Sequence, residues 1–174
     1  MIIGNKKRTV ITVCHDAGGA EIISAYVKAN NSKAKFVCLA LGPARKIFLR
    51  KKLGDLLISK KFDAEIIFKK FLPDFLLTGT SWASGIEFKY VKQAKKLGVK
   101  TAVYLDHWTN YRERFGYPRL GWENNLPEEI WVGDKYALEL AKRKFIGKIK
   151  LRLVENLYFK EVKKQYRNLT LKKY

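Results

Sequence analysis

Both histidines of this chain stand beside an aspartate: His15 precedes Asp16, and His107 follows Asp106. Imidazole titrates near neutral pH, so a histidine held by a carboxylate can take up or release a proton during a reaction. Each pair follows a short apolar run typical of a buried strand. Ligands of open parallel sheets bind at the carboxyl ends of the strands, and this placement therefore predicts one polar site built from several loops.

The first such loop, residues 15–21, contains two glycines before a helical pattern. Gly18 and Gly19 allow backbone amides to approach a ligand, and a helix N-terminus favours an anion, so we predict that Asp16 and both glycines bind ligand. The loop lacks the Gly-x-Gly-x-x-Gly fingerprint and the Walker A lysine, and we expect no nucleotide cofactor. The structural alternative is a tight turn capped by Asp16.

His15 is the predicted general base of the site. A base needs an orienting carboxylate, and Asp106 at the end of a later strand is the candidate for that role. Both residues are therefore our predicted catalytic pair. The alternative is a histidine that only hydrogen-bonds a neighbouring loop.

A second loop, residues 78–81, is rich in hydroxyl groups. Gly79, Thr80 and Ser81 are predicted to donate hydrogen bonds to phosphate or sugar oxygens. The alternative is that Thr80 or Ser81 caps the next helix. Ser81 does not lie in a Gly-x-Ser-x-Gly elbow, which disfavours a hydrolase nucleophile.

The densest group of polar and aromatic residues lies in residues 106–115. Arg112 and Arg114 can bind phosphate or carboxylate through two hydrogen bonds each. Trp108 offers a flat face to a sugar or base, and His107 and Asn110 add polar groups, so all five are predicted ligand-binding residues. The alternative is a loop packed on the sheet edge by its aromatic residues, with solvated arginines. No spacing typical of a metal site is present, and we expect no metal.

Composition limits the class of protein. The 174 residues, 47% of them apolar, suit one globular domain spanning residues 1–174. No apolar run approaches the length of a membrane span, and no signal peptide is recognised, so we expect a cytoplasmic protein. Cys14 and Cys38 fall in predicted strands and are expected to be buried, reduced thiols.

The chain is strongly basic, with 36 Lys and Arg against 16 Asp and Glu, a net charge of +20. That charge favours anionic partners such as a nucleotide sugar, a sugar phosphate or an acidic lipid surface. A lysine-rich genome composition would produce the same excess without a specific partner. Nucleic acid is not an expected partner, because no known binding motif is present.

Hydrophobic patterns and turn residues predict alternating strands and helices. The predicted strands are residues 8–14, 35–41, 74–78, 99–105, 129–132 and 149–154, with a short additional strand at 56–58. The predicted helices are residues 20–29, 44–53, 63–71, 86–97, 135–145 and about 158–167. Residues 107–125 are predicted to be irregular. This order indicates an α/β fold with one doubly wound, mainly parallel, Rossmann-like sheet and helices on both faces.

Four segments in this order, residues 15–21, 76–81, 105–115 and 128–134, give the chain a resemblance to a known family. Together they resemble the N-terminal half of GT-B-type glycosyltransferases and related sugar-nucleotide epimerases, including proteins of bacterial surface-polysaccharide gene clusters. The resemblance implies a domain that binds the acceptor, with a histidine after the first strand as base and an aspartate after a later strand orienting it. His15 and Asp106 stand at the matching positions.

The family would also imply a second domain that binds the nucleotide-sugar donor, beginning after a hinge at about residues 154–158. The sequence carries only a terminal helix beyond that segment. We therefore expect the acceptor side of a split glycosyltransferase, acting with a donor-domain subunit or a second copy of the chain. The alternative is a non-catalytic module whose basic helices, near residues 46–52 and 160–173, contact an acidic membrane, protein or nucleic acid.

Overall fold

The computed structural model describes residues 7–58, 63–82, 84–145, 147 and 149–171. Within these residues the chain forms a six-stranded sheet in the order β2-β1-β3-β4-β5-β6, and every neighbouring pair is parallel. The strands are β1 (Thr9–Cys14), β2 (Lys35–Ala40), β3 (Phe75–Thr78), β4 (Lys100–Leu105), β5 (Glu129–Val132) and β6 (Lys150–Leu153). The predicted α/β fold is confirmed, with all described strands parallel.

Helices cover both faces of the sheet. They are α1 (Ala17–Asn30), α2 (Pro43–Arg50), α3 (Ala64–Phe71), α4 (Ile86–Lys96), α5 (Lys135–Lys144) and α6 (Leu157–Leu171). Buried residues of α3, α4 and α5 join one apolar core, and those of α1 and α2 join the other together with Tyr158 of α6. None of the described helices combines the length and the apolar content that crossing a membrane requires.

Alternating strand residues supply the two cores. In β1, Ile11 and Val13 point into the core under α4, whereas Val10 and Cys14 point into the core under α1. Successive side chains of a strand point to opposite faces, and both faces are covered here. This explains why the central strands read as continuous apolar runs rather than as alternating patterns.

Several predicted elements differ from the structure. Residues 56–58 do not form a regular strand, because a 3-10 turn at Gly54–Leu56 leaves only a single bridge from Leu57 to Cys38. Helix α1 begins at Ala17, three residues earlier than predicted, so both glycines of the first loop belong to its first turn. Helix α6 is longer than predicted at both ends.

The irregular stretch of residues 107–125 is folded onto the sheet edge. It contains 3-10 turns at Glu113–Phe115 and Trp122–Asn125. Tyr111, Phe115 and Trp122 are buried and join the core under α4 and α5. The aromatic residues therefore pack the loop, as the structural alternative proposed.

The order of the strands places a crevice beside β1. The chain adds β2 on one side of β1 and then β3, β4, β5 and β6 on the other, so its direction reverses between β1 and β3. Ligands of doubly wound sheets bind outside the carboxyl ends of the strands at such a reversal. Asp16 and Ser81 stand on the two sides of this point.

Candidate functional site at the carboxyl edge of the sheet

A hydrogen-bonded cluster links the ends of β1 and β3. The imidazole Nδ1 of His15 lies 2.9 Å from Asp16 Oδ1, and the hydroxyl of Ser81 donates to the same oxygen over 2.6 Å. The backbone N–H of Trp82 donates to Asp16 Oδ2 over 3.0 Å. A carboxylate only accepts, so Nδ1 carries the proton and Nε2 of a neutral His15 is left with a free lone pair.

The environment of Asp16 favours its ionised form. Partial burial raises the pKa of Asp16, but hydrogen bonds from His15, Ser81 and the Trp82 amide outweigh burial and lower the pKa below its usual value. Asp16 therefore stays charged and fixes the orientation of the His15 ring. The other ring nitrogen faces the start of α2, where a methyl group on Gly42 would lie 2.8 Å from Nε2.

Glu87, which the sequence analysis did not select, lies directly beneath this cluster. Its Oε1 accepts the backbone N–H of His15 over 3.0 Å, and its Oε2 is buried without a hydrogen-bond partner among the described residues. Glu87 is only 2% exposed. Burial raises its pKa to about 7. The sequence signal for Glu87 was its own position, since it is a charged residue on the apolar side of the predicted helix that became α4.

Asp106 was the candidate to orient His15, and the structure shows no hydrogen bond between their side chains. Asp106 Oδ1 instead accepts from Arg114 Nη1 over 3.0 Å, and the same Nη1 donates to Thr80 Oγ1 over 2.7 Å. The Arg114 and Asp106 side chains are nearly buried. Asp16, the sequence neighbour of His15, takes the orienting position because the end of β1 turns both side chains towards the same loop.

The glycine pair also has a different environment from the one predicted. A methyl group on Gly18 would lie 1.9 Å from Asp106 Oδ2, so the carboxylate of Asp106 rests on the first turn of α1. Negative charge at a helix N-terminus is favourable, and the protein's own aspartate supplies it here. A methyl group on Gly19 would lie 3.1 Å from Gly79 Cα, so these two glycines allow α1 to approach the end of β3.

The two arginines are engaged by the protein rather than solvated. The Arg112 guanidinium lies 4.2 Å from the centre of the Tyr117 ring, and Arg114 is held by Asp106 and Thr80. Both Nε atoms are buried without a hydrogen-bond partner among the described residues. The predicted role of these arginines in binding an anion would require them to leave or extend these contacts.

A cavity of about 280 Å³ opens at the ends of β4 and β5. Its polar lining comes from Asp106, His107, Asp134 and Asn156, and its apolar lining includes Trp108. The Trp108 indole N–H donates to Asp134 Oδ2 over 2.9 Å. The described residues that line the cavity include no lysine or arginine.

The remaining predicted residue, Asn110, is exposed in the same loop and adopts a left-handed backbone with φ of 57°. Its carbonyl accepts the backbone N–H of Arg114 over 3.0 Å, so its backbone shapes the turn that carries the arginine. In the part of the chain that the structure describes, no three His, Cys, Asp or Glu residues lie close enough together to hold a metal ion.

No protein-family model matches this sequence, and no curated protein matches it significantly. Its fold is similar to that of the UDP-GlcNAc 2-epimerase from Neisseria meningitidis bound to UDP-GlcNAc, with a TM-score of 0.64 and 11% identity over 93% of this chain and 50% of that one. A similar match is the S. aureus MnaA structure with UDP, with a TM-score of 0.64 and 12% identity over 86% of this chain and 44% of that one.

A further UDP-N-acetylglucosamine 2-epimerase matches with a TM-score of 0.60 and 14% identity over 87% of this chain and 49% of that one. This chain therefore spans about half the length of these structures. At such low identity the similarity concerns the fold alone, and it confirms the predicted Rossmann-like, GT-B-type architecture.

Proposed function

We propose that this chain is the acceptor-side part of a GT-B-type enzyme of carbohydrate or cell-envelope biosynthesis, and that it binds an anionic sugar-linked ligand such as a nucleotide sugar at the carboxyl edge of its sheet. The observation that carries the proposal is the cavity bordered by Asp106, Asp134 and Trp108 in this fold. The titles of two similar structures name UDP-GlcNAc and UDP as bound molecules, which supports a nucleotide sugar as the ligand class.

The chemistry of the cavity lining favours the sugar ring over the phosphate. The carboxylates of Asp106 and Asp134 already accept hydrogen bonds from Arg114 and Trp108, and the second lone pairs of their oxygens can accept from sugar hydroxyls. Asn156 offers both a donor and an acceptor, and Trp108 offers an apolar ring face. The charge of Asp106 is paired with Arg114, so the repulsion of a phosphate by the described lining would come from Asp134. We therefore assign the neutral, hydroxyl-rich end of the ligand to this cavity and its charged end to groups outside the cavity.

His15 is the proposed base. With its Nδ1 proton directed at Asp16, Nε2 can accept the proton of a sugar hydroxyl, whose oxygen then bonds to the anomeric carbon of the donor as the bond to the nucleotide phosphate breaks. Neighbouring strands lie about 4.8 Å apart, so the ends of β1 and β4 are roughly 10 Å apart, and Nε2 of His15 faces α2 on the side of β1 that is away from β4. A ligand that reaches both has to be longer than one sugar ring.

The charged end of the ligand would need cations in addition to the described cavity lining. This chain spans about half the length of the similar epimerase structure, and the described residues that line its cavity include no lysine or arginine. A donor-binding subunit or a second copy of this chain would supply those cations. Activity is therefore expected only from the complete assembly, whereas weak binding of the sugar end is expected from this chain alone.

Thermal shift at physiological salt tests the proposal. UDP-GlcNAc is expected to raise the melting temperature more than UDP, inorganic phosphate or single-stranded DNA, since a ligand that binds only the folded state stabilises it. Trp108→Ala and Asp106→Asn should abolish the selective shift. Trp82→Ala is the matched control, because Trp82 is also exposed at this edge but does not line the cavity.

Equal shifts with every polyanion, or equal losses in Trp82→Ala and Trp108→Ala, would contradict the proposal. His15→Gln should keep the selective shift and lose only the activity of the assembly. Loss of the shift in His15→Gln would instead make His15 a binding residue.

A second candidate function is a non-catalytic binding module. The ion pair between Arg114 and Asp106 favours this alternative, because an arginine that binds Asp106 is less able to bind an anionic ligand. Two outcomes would support the module. One is full activity of an assembly that contains His15→Gln, and the other is a native chain that shows no activity with a donor-binding subunit.

A further inference from the structure

Among the described residues, the terminal helix α6 contacts the body of the protein through Tyr158 and Glu161. Glu161 accepts a hydrogen bond from Lys51 Nζ over 2.6 Å, and that ammonium lies 5.0 Å from the centre of the Tyr158 ring. Lys51 follows α2 and also lies 3.5 Å from Glu21 of α1. One nearly buried lysine thus holds α6 onto α1 and α2.

The outer side of α6 exposes an apolar stripe. Phe159 is 54% exposed, Val162 39% and Tyr166 71%. The spacings of three and four residues place these side chains in one row along the helix. The row lies beside the docked side that carries Tyr158 and Glu161.

Beside that row lie basic side chains without acidic partners. Lys163, Lys164 and Arg167 are exposed, and no carboxylate among the described residues comes within ion-pair distance of them. The neighbouring Lys160 differs, since it pairs with Glu155 over 2.7 Å. The exposed arc of α6 therefore combines apolar residues with unneutralised positive charge.

We propose that this arc of α6 binds the surface of an anionic lipid bilayer. Helices that lie in a membrane interface bury an apolar row in the headgroup region while lysines and arginines contact acidic lipids. The net charge of +20 complements such a surface. Nucleic acid would use the positive charge but has no need of the row of Phe159, Val162 and Tyr166, so the bilayer is the better partner.

Helix α2 adds a second contact of the same kind. Leu49 is exposed one helical turn after the exposed basic residues Arg45 and Lys46, on the same side of the helix. Both helices pack against α1, and the Lys51–Glu161 pair joins the residue after α2 to α6. Phe159 belongs both to the apolar row and to the lining of the carboxyl-edge cavity, so a bilayer bound here lies next to that cavity.

Co-sedimentation of the full chain with vesicles tests the proposal. Vesicles of phosphatidylglycerol and phosphatidylcholine should bind the chain at least about tenfold better than pure phosphatidylcholine, because each basic residue near an anionic surface strengthens binding several-fold. Lys163→Glu/Lys164→Glu should weaken binding by about tenfold or more. Lys92→Glu/Lys96→Glu on α4 is the matched control, with the same charge change on the opposite face of the sheet.

A second pair of variants separates apolar contact from charge. Leu49→Ser/Val162→Ser should weaken vesicle binding several-fold at unchanged charge, whereas Ile66→Ser, which removes an exposed apolar side chain from α3, should not. Three results would each overturn the proposal. The α6 and α4 charge variants could lose vesicle binding equally, or Leu49→Ser/Val162→Ser could leave vesicle binding unchanged. The third is a chain that binds single-stranded RNA but not vesicles. Circular dichroism of every variant checks that it is folded.

Discussion

The backbone N–H of His15 donates a hydrogen bond to the carboxyl of Glu87 across 3.0 Å, which joins the end of β1 to the first turn of α4. Burial is the main cause that raises the pKa of Glu87, and the nearby charge of Asp16 raises it further, whereas His15 lowers it. The second oxygen of Glu87 has no partner among the described residues. Ionisation of Glu87 is therefore disfavoured in the folded chain.

Glu87 should make the protein less stable as pH rises. The pKa of Glu87 is raised from 4.5 to about 7 on folding, so its contribution is fully present below pH 4.5 and is lost as pH rises through 7. The loss should be on the order of 3 kcal/mol in the free energy of unfolding. Urea denaturation from pH 4.5 to 8 should show this loss in the native chain and not in Glu87→Gln; parallel curves for the two would contradict it.

Gly18→Ala should destabilise the fold by about 1–3 kcal/mol, because the added methyl group meets the Asp106 carboxylate, which Arg114 holds in place. Gly85→Ala is the control, since a methyl group there has no neighbour within 4 Å. Chemical denaturation of both variants measures the difference. A Gly18→Ala protein as stable as Gly85→Ala would show that Asp106 does not rest on α1.

Arg114→Met should cost roughly 3 kcal/mol, because it leaves the nearly buried carboxylate of Asp106 without its cation. The double variant Arg114→Met/Asp106→Asn should recover part of that loss, since it removes the unpaired charge. Arg112→Met serves as the comparison: Arg112 stacks on Tyr117 and should cost about 1 kcal/mol or less. A strictly additive double-mutant cycle would exclude a coupled pair.

Ser81→Ala should raise the pKa of Asp16, because it removes the hydroxyl that donates over 2.6 Å. Folding lowers the pKa of Asp16, so the ionised carboxylate stabilises the fold at pH values above the unfolded pKa of 3.8. This stabilisation is lost as pH falls. The variant should therefore lose about 1 kcal/mol at neutral pH and less near pH 2. An NMR titration of the Asp16 carboxyl measures the pKa directly. Ser84→Ala, which removes a hydroxyl that bonds Ile86 instead, should leave that pKa unchanged.

Strand and helix positions could be predicted because they depend on local patterns. The strand β5 was predicted with the same bounds, and the predicted helix after it begins at Lys135, where Asp134 caps it by accepting from the Ala137 N–H over 2.7 Å. Strands buried on both faces of the sheet appear in the sequence as continuous apolar runs, and the alternation of strands and helices is compatible with few topologies. These patterns can be recognised without knowing which side chains are in contact.

The pairing of site residues could not be predicted, because it depends on which side chains meet across neighbouring loops. Asp106 was the predicted partner of His15 and Asp16 a predicted ligand-binding residue, and only the positions of the side chains show that His15 Nδ1 lies beside Asp16. Gly18 was predicted to lie in a loop and bind a ligand. In the structure it lies in α1, and a larger side chain there would collide with the Asp106 carboxylate. Contacts between residues so far apart in sequence leave no local pattern.

The most direct test of the proposed carbohydrate site is an NMR titration of the tryptophan indole N–H signals with UDP-GlcNAc, each signal assigned by a Trp→Phe variant. The Trp108 indole lines the carboxyl-edge cavity, whereas the Trp131 indole donates to Glu129 in the core under α1. We expect the Trp108 signal to shift in a saturable way, with Trp131 unmoved and with inorganic phosphate failing to reproduce the effect. An unchanged Trp108 signal at millimolar UDP-GlcNAc, or the same shift with phosphate alone, would contradict the proposed site.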